Sequence, residues 1–190
     1  MNKLKSTIAL ASIIAFSFAC EQKAKESDEG MNQEGMEMQE TTSSDAEKIP
    51  TSNASITFSD QSITEIVNAY LTLKDELVAT DGEKASAAAK NLVSVLAKSE
   101  IQSKESLKAE VEKIANSTDP EVQRVAFDLA SQQILVLAKS GTLTEGKLYK
   151  QYCPMAKNNE GAFWLSASDQ IRNPYFGDKM LKCGSVEEEI

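Results

Sequence analysis

One stretch of the sequence decides the fold: DPEVQRVAFDLASQQILVLAKSG, residues 119–141. It opens with Asp at a helix N-cap position, Pro at the first helical position and Glu in the first turn, which together are typical of a helix start. Apolar residues then recur at helical spacing until Gly141 ends the run. We predict a long helix whose buried face carries Val122, Val125, Ala126, Leu129, Ala130, Leu137 and Ala138.

Three shorter stretches before it have the same apolar periodicity. The first begins after Ser59 or Asp60 and ends at Asp81-Gly82, the second spans 85–96, and the third runs to residue 115 with Ser103 as its cap. Helices joined by short connections favour an antiparallel up-down arrangement. We therefore predict an all-α domain over residues 56–190: an antiparallel up-down four-helix bundle with an ordered, irregular C-terminal segment packed on it.

The first residues have the pattern of a targeting signal. Lys3 and Lys5 precede an apolar stretch (residues 8–18) that is too short to span a bilayer, and Cys20 follows a small residue. This predicts a lipoprotein signal peptide over 1–19 and lipidation of Cys20; the alternative is a secreted protein with an unmodified Cys20. Acyl chains on Cys20 would anchor the protein to a membrane. We expect it in the cell envelope, on the periplasmic or surface face of the outer membrane.

Residues 20–55 are polar and acidic and have no apolar periodicity, so we expect a disordered tether. Met31, Met36 and Met38 lie within it among glutamates. Thioether sulfur is a soft ligand suited to Cu(I) and Ag(I), so these methionines are candidates for a weak metal-binding element. Chance composition is the alternative explanation.

The composition excludes several functions. The 190-residue chain has no histidine, which excludes a His-containing catalytic triad and a His-ligated metal site. Its formal net charge of −9 argues against nucleic acid as a partner, because phosphate binding needs clustered cations. No motif supplies a general base together with an activated nucleophile, so we expect a protein that is not an enzyme. The sequence leaves the oligomeric state open.

The last 45 residues contain four sulfur side chains that could bind a metal ion. Pro154 favours an extended Cys153, and residues two apart in an extended chain point the same way, so Cys153 and Met155 are predicted to share a face. A helical turn closed by Gly184 would likewise align Met180 with Cys183. Two thiolates and two thioethers would suit Cu(I) or Ag(I).

An alternative interpretation of the same residues needs no metal. Two cysteines of a secreted domain commonly pair, and a Cys153–Cys183 disulfide would close a loop of about 30 residues and stabilise the fold by roughly 3 kcal/mol. Trp164 is then a core anchor of the segment. Trp164, Tyr175 and Phe176 are also candidates for docking on an envelope partner. The residues alone leave these two interpretations open.

The C-terminal segment resembles a known family. The resemblance is carried by YCPMA (152–156), by Asn158-Asn159, Gly161-Ala162 and WLS (164–166), and by IRNPYFGDKMLKCG (171–184). These motifs are similar to those of the domain of unknown function 3347 family, over about residues 60–190 and most densely over the final 45. The family comprises small bacterial lipoproteins, mainly from Bacteroidota, and a similar segment occurs in adaptor subunits of copper/silver-type heavy-metal efflux pumps.

The resemblance implies a role in envelope copper or silver handling, with an efflux adaptor as a candidate partner. It also implies Cys153, Met155, Met180 and Cys183 as candidate ligands. Members of the family often have histidine in the helical part, whereas this chain has none. Sulfur is therefore the only soft donor that this chain offers.

Overall fold

The structure, a computed structural model, describes residues 55–102 and 104–190. The described residues belong to one compact unit. The predicted signal peptide, the lipidation site Cys20, and the tether with Met31, Met36 and Met38 lie outside the described residues, as does the predicted cap Ser103.

Four helices form most of the domain: α1 (Gln61–Val78), α2 (Gly82–Lys98), α3 (Lys104–Ala115) and α4 (Pro120–Ser140). Three of them begin at an aspartate whose carboxylate accepts backbone N–H groups of the first turn, namely Asp60, Asp81 and Asp119. Such caps satisfy N–H groups that have no partner inside the helix. Each helix packs against the next, and α4 also contacts α1 and α2. The predicted helical core is confirmed.

The prediction of an all-α domain is wrong, because the described residues also contain two antiparallel sheets. Strand β1 (Thr57–Phe58) pairs with β2 (Leu143–Glu145). In the C-terminal segment, β3 (Tyr149–Cys153) lies between β4 (Ala162–Ser166) and β5 (Ser185–Glu189). A short helical turn, α5 (Ala156–Asn159), and a 3₁₀ helix (Gly177–Met180) connect these strands. The segment predicted as irregular is therefore a three-stranded sheet.

The strands are hard to recognise because they are short and their buried face is partly polar. In β3, Gln151 and Cys153 are fully buried, while Lys150 and Tyr152 are partly exposed. This is the two-residue alternation of a strand, but it lasts five residues and places a glutamine inside. The apolar pattern alone therefore shows only that the helical period ends.

Helix α4 buries only part of the predicted face. Four of the seven predicted residues are buried, namely Ala126, Ala130, Leu137 and Ala138. Val122, Val125 and Leu129 are instead exposed, and Phe127 and Ile134 are fully buried. The helix packs against α3 and α1 and against β4. A helix with apolar residues around most of its circumference has more than one candidate inner face, and periodicity does not choose between them.

An aromatic cluster, defined by Tyr70, Phe127, Trp164 and Tyr175, joins the helices to the three-stranded sheet. The Tyr70 ring stacks on Phe127 with centroids 5.3 Å apart, and Tyr175 lies 5.7 Å from Phe127 and 6.2 Å from Trp164. The Tyr175 hydroxyl donates to the carbonyl oxygen of Phe163 at 2.9 Å. Burial raises the pKa of both tyrosines well above its usual value, so both hydroxyls remain protonated and able to donate.

The Tyr70 hydroxyl forms hydrogen bonds with both the helices and the three-stranded sheet. It lies 2.7 Å from the Ser131 hydroxyl on α4 and accepts the backbone N–H of Leu165 on β4 at 3.2 Å. Since β4 has only β3 as a strand neighbour, the hydroxyl of a helix residue here replaces a bond that another strand would make.

Each of the three glutamates near the C-terminus contacts a lysine from another part of the domain. Glu187 contacts Lys150 at 2.7 Å, Glu188 contacts Lys139 at 2.7 Å, and Glu189 contacts Lys147 at 2.9 Å. Such exposed pairs are each worth at most about 1 kcal/mol.

Within the described residues, no helix is both long and apolar enough to cross a membrane.

We expect Tyr70→Phe to lower the free energy of unfolding by about 1–3 kcal/mol, because it leaves the buried Leu165 N–H without a partner. Urea unfolding of residues 47–190, followed by circular dichroism, measures this change. Tyr149→Phe, at a partly exposed tyrosine, is the matched control and should cost far less. Equal losses in the two variants would contradict the role given to the Tyr70 hydroxyl.

Candidate functional site

Backbone pairing brings the two C-terminal cysteines together. Cys153 ends β3, and Tyr152 just before it pairs with Ser185 at the start of β5. Gly184 has φ +139°, and a Cβ there would lie 2.7 Å from the Tyr152 carbonyl oxygen and 3.0 Å from Cη2 of Trp164. Only glycine fits so close an approach. Glycine at position 184 thus allows Cys183 to lie beside Cys153.

The two cysteines are free thiols in different environments. Cys153 is fully buried and Cys183 is partly exposed. Burial, together with the neighbouring Cys153 thiol, raises the pKa of the Cys183 thiol to about 11, although the backbone N–H of Met155 opposes the shift. Cys183 is therefore protonated at neutral pH. The same contacts place Cys153 and Met155 next to its sulfur.

The two methionines lie on one cleft. Its volume is about 450 Å³, and Met155 stands at its rim with 46% of its surface exposed. The other lining residues are Glu121, Arg124, Val125, Lys157, Asn158, Asn159, Tyr175, Phe176 and Met180. Met155 therefore contacts both the two thiols and the cleft. Its backbone faces Cys183, and its side chain lines the cleft together with Met180.

The structure groups these sulfurs differently from the prediction. Cys153 and Met155 do not share a face, because β3 ends at Cys153 and Met155 adopts helical angles (φ −85°, ψ −13°). Cys153 consequently points inward while Met155 is exposed. The predicted turn between Met180 and Cys183 is present, with the Cys183 N–H donating to the Met180 carbonyl oxygen at 3.0 Å.

A left-handed turn forms part of the cleft wall and was not predicted. Lys157, Asn158 and Asn159 have φ values of 53°, 57° and 71°. Non-glycine residues in this region cost free energy, about 1–3 kcal/mol each, and such strain clusters at functional sites. The sequence signal was the Asn-Asn pair two residues before Gly161, because asparagine tolerates this conformation better than most residues.

One ion pair holds this turn. The Lys157 ammonium contacts the Asp128 carboxylate on α4 at 2.8 Å, and the Asp128 side chain is only 8% exposed. This hydrogen bond raises the pKa of Lys157. The pair ties the cleft wall to the helix that forms its other side.

The predicted docking aromatics lie mostly inside the domain. Trp164 is fully buried and Tyr175 is 7% exposed, so neither presents a surface to a partner. Trp164 is a core anchor of the segment, as expected. Phe176 is partly buried and lines the cleft with Met155 and Met180.

Among residues 55–102 and 104–190, no group of three or more His, Cys, Asp or Glu side chains could hold a metal ion. Methionine is not one of these side-chain types, so the candidate soft donors in this part of the chain are the two thiols and the thioethers of Met155 and Met180. Thioethers supply no charge, so such a site would select soft monovalent ions over hard divalent ones.

Comparison with known proteins identifies one family. The model of a family described as "Protein of unknown function (DUF3347)" matches residues 66–146. The match confirms the family named from the sequence, but the motifs that suggested it, at 152–184, lie after the matched residues. The matched residues run from within α1 to just past β2, so the C-terminal sheet with Cys153 and Cys183 follows the matched region. Neither the curated proteins nor the solved structures gave a match.

We expect the Cys183 thiol to react with iodoacetamide at pH 8 about a hundredfold more slowly in the folded domain than in urea. The reason is that raising the thiol pKa from 9.0 to about 11 lowers the thiolate fraction by that factor. Mass spectrometry of the peptide containing Cys183 gives the rate. Equal rates in the folded and unfolded protein would contradict the raised pKa.

Proposed function

We propose that this protein binds a soft monovalent metal ion, Cu(I) or Ag(I), through Cys153, Met155, Met180 and Cys183. The observation that carries the proposal is the position of Met155. Its backbone faces the sulfur of Cys183, which lies next to Cys153, and its side chain lines the cleft that Met180 also lines. Four soft donors from two segments of the sequence, residues 153–155 and 180–183, thus lie in one region of the fold.

The raised pKa of the Cys183 thiol suits a metal ligand that stays protonated while the site is empty. Thiolate is both the metal ligand and the nucleophile in disulfide chemistry, so a thiol with a raised pKa resists oxidation while it is empty. When Cu(I) binds Cys183, the S–H bond breaks, a Cu–S bond forms and a proton leaves to solvent. Affinity should therefore rise with pH.

The exposure of the sulfurs suggests a path for the ion. Met155 is exposed at the rim of the cleft, Met180 is partly buried, and Cys153 is fully buried. An ion captured by the two thioethers would then move inward to the thiols. Exchange between neutral thioethers needs no proton transfer, so capture and release at the rim would be fast.

The expected cellular setting suits a carrier. A lipid anchor at Cys20 would hold the protein at the outer membrane, and the tether with Met31, Met36 and Met38 would give it reach and additional weak donors. The helices, as an antiparallel up-down bundle, would serve as a rigid support. A heavy-metal efflux adaptor is then the natural acceptor of the ion.

The adjacency of the two thiols also supports a second function. If Cys153 and Cys183 form a disulfide in the envelope, the domain becomes an interaction module without a metal. Phe176 on the cleft would then be its docking aromatic, since Trp164 and Tyr175 are buried.

Titration of reduced residues 47–190 with Cu(I) against a competing chelator should show about one ion per chain. Met155→Leu and Met180→Leu should each weaken binding without a large change in stability, because Leu and Met are similar in volume. Leu143→Met, in the two-stranded sheet, is the control substitution and should leave binding unchanged. Wild-type affinity in both methionine variants would contradict the proposed ligand set.

The disulfide alternative has a separate signature. If the bridge forms, the protein purified without reductant should have no free thiol in this domain, and Cys153→Ser should lower stability by roughly 2–5 kcal/mol. The metal-binding proposal predicts two free thiols that one equivalent of Cu(I) protects from labelling. A thiol assay before and after reduction decides between the two functions.

A further inference from the structure

A second cavity lies in the C-terminal segment and takes no part in the proposed metal site. Its volume is about 450 Å³, and we name it the basic pocket. The pocket has no lining residue in common with the cleft of Met155 and Met180. Two short pieces of chain, 170–172 and 181–182, form its walls, and the lining residues are Gln170, Ile171, Arg172, Leu181 and Lys182.

Hydrogen bonds of one asparagine fix the two walls relative to each other. Asn173 is fully buried; its backbone N–H donates to the Leu181 carbonyl oxygen and its side-chain amide donates to the Cys183 carbonyl oxygen, both at 2.9 Å. Asn173 directly follows Arg172, and the two acceptors lie on either side of Lys182. The backbone that carries both cations is therefore pre-organised, which lowers the entropic cost of binding a ligand.

The two cations of the pocket have no counter-ion. Arg172 is partly buried and Lys182 is exposed, and neither forms an ion pair with another residue of 55–102 or 104–190. The other arginine of the chain, Arg124, differs in this respect. Its guanidinium contacts the Glu121 carboxylate at 2.7 Å and donates to the Pro174 carbonyl oxygen at 2.8 Å.

The charge of the pocket is opposite to that of the chain as a whole. The formal net charge is −9, yet the lining residues of the pocket include two cations and no carboxylate. Asp169 and Asp178, the acidic residues nearest to it in the sequence, are exposed and do not line it. A concave site of one sign attracts a ligand of the opposite sign.

We propose that the basic pocket binds an organic oxyanion, a carboxylate or phosphate group carried on an apolar chain. The planar guanidinium of Arg172 can donate two parallel hydrogen bonds to two oxygens of such a group, and Lys182 supplies a second positive charge. Ile171 and Leu181 offer apolar contacts to the rest of the ligand. The volume lies within the range of small-molecule sites, about 300–1,000 Å³, and far exceeds that of an inorganic anion.

Titration of the reduced, metal-free full chain with hexanoate, hexyl phosphate and inorganic phosphate tests the proposal by NMR. At least one of the hexyl compounds should shift the amide signals of residues 170–172 and 181–182. Inorganic phosphate should bind at least tenfold more weakly, because it makes no contact with Ile171 or Leu181. Saturation by hexanoate identifies a carboxylate ligand and saturation by hexyl phosphate a phosphate ligand, and either result supports the proposal.

Charge-removing variants locate the site. Arg172→Gln and Lys182→Gln should each weaken binding tenfold or more, because each removes a cation that faces the oxyanion. Lys90→Gln removes the same charge at an exposed position of α2 and should leave binding unchanged. Met155→Leu should also leave it unchanged, which separates this site from the proposed metal site. Circular dichroism verifies that each variant is folded, and Lys182→Gln changes an exposed residue that the fold does not need.

Three results would overturn the proposal. One is the absence of signal shifts at 170–172 and 181–182 with both hexyl compounds. The second is equal affinity for inorganic phosphate and the hexyl compounds, which would indicate attraction by charge alone. The third is an equal loss of affinity in Lys90→Gln and Lys182→Gln.

Discussion

The close passage of the chain at Gly184 is the constraint on which the candidate site depends. A side chain at this position would clash with the Tyr152 carbonyl oxygen and with Trp164. Because glycine leaves this space free, β5 can pair with β3, and Cys183 arrives beside Cys153. The aromatic cluster then fixes the sheet on the helices, so the sulfur-bearing turns on either side of β3 are held against α4.

The sequence predicted the helices well because local signals mark where they begin and end. Asp60 and Asp119 were recognised as helix starts, which depend on hydrogen bonds within one turn. Asp81 was taken only as the end of the first helix, but it also caps α2. The three-stranded sheet was missed because it depends on pairing between residues more than 30 positions apart, such as Tyr152 with Ser185. Short strands with a buried glutamine produce only a weak alternation of apolar and polar residues.

The same distinction applies to the site. Residue types alone identified Cys153, Met155, Met180 and Cys183, since sulfur chemistry can be read from composition. Their grouping could not be predicted from spacing, because Met155 lies just past the end of a strand whose end depends on its neighbours. The exposed valines of α4 show a similar limit. Periodicity correctly predicted the buried alanines and Leu137, but the core also contains Phe127 and Ile134, and Val122, Val125 and Leu129 are exposed.

The central claim is that soft sulfur ligands from the end of β3 and from the turn before β5 hold one monovalent ion. X-ray absorption at the copper edge of Cu(I)-loaded residues 47–190 tests it most directly, because the spectrum reports the elements bonded to the metal. The account predicts a first shell of sulfur alone, which loses a ligand in Met155→Leu and in Met180→Leu. A shell containing nitrogen or oxygen, or one unchanged in both variants, would contradict it.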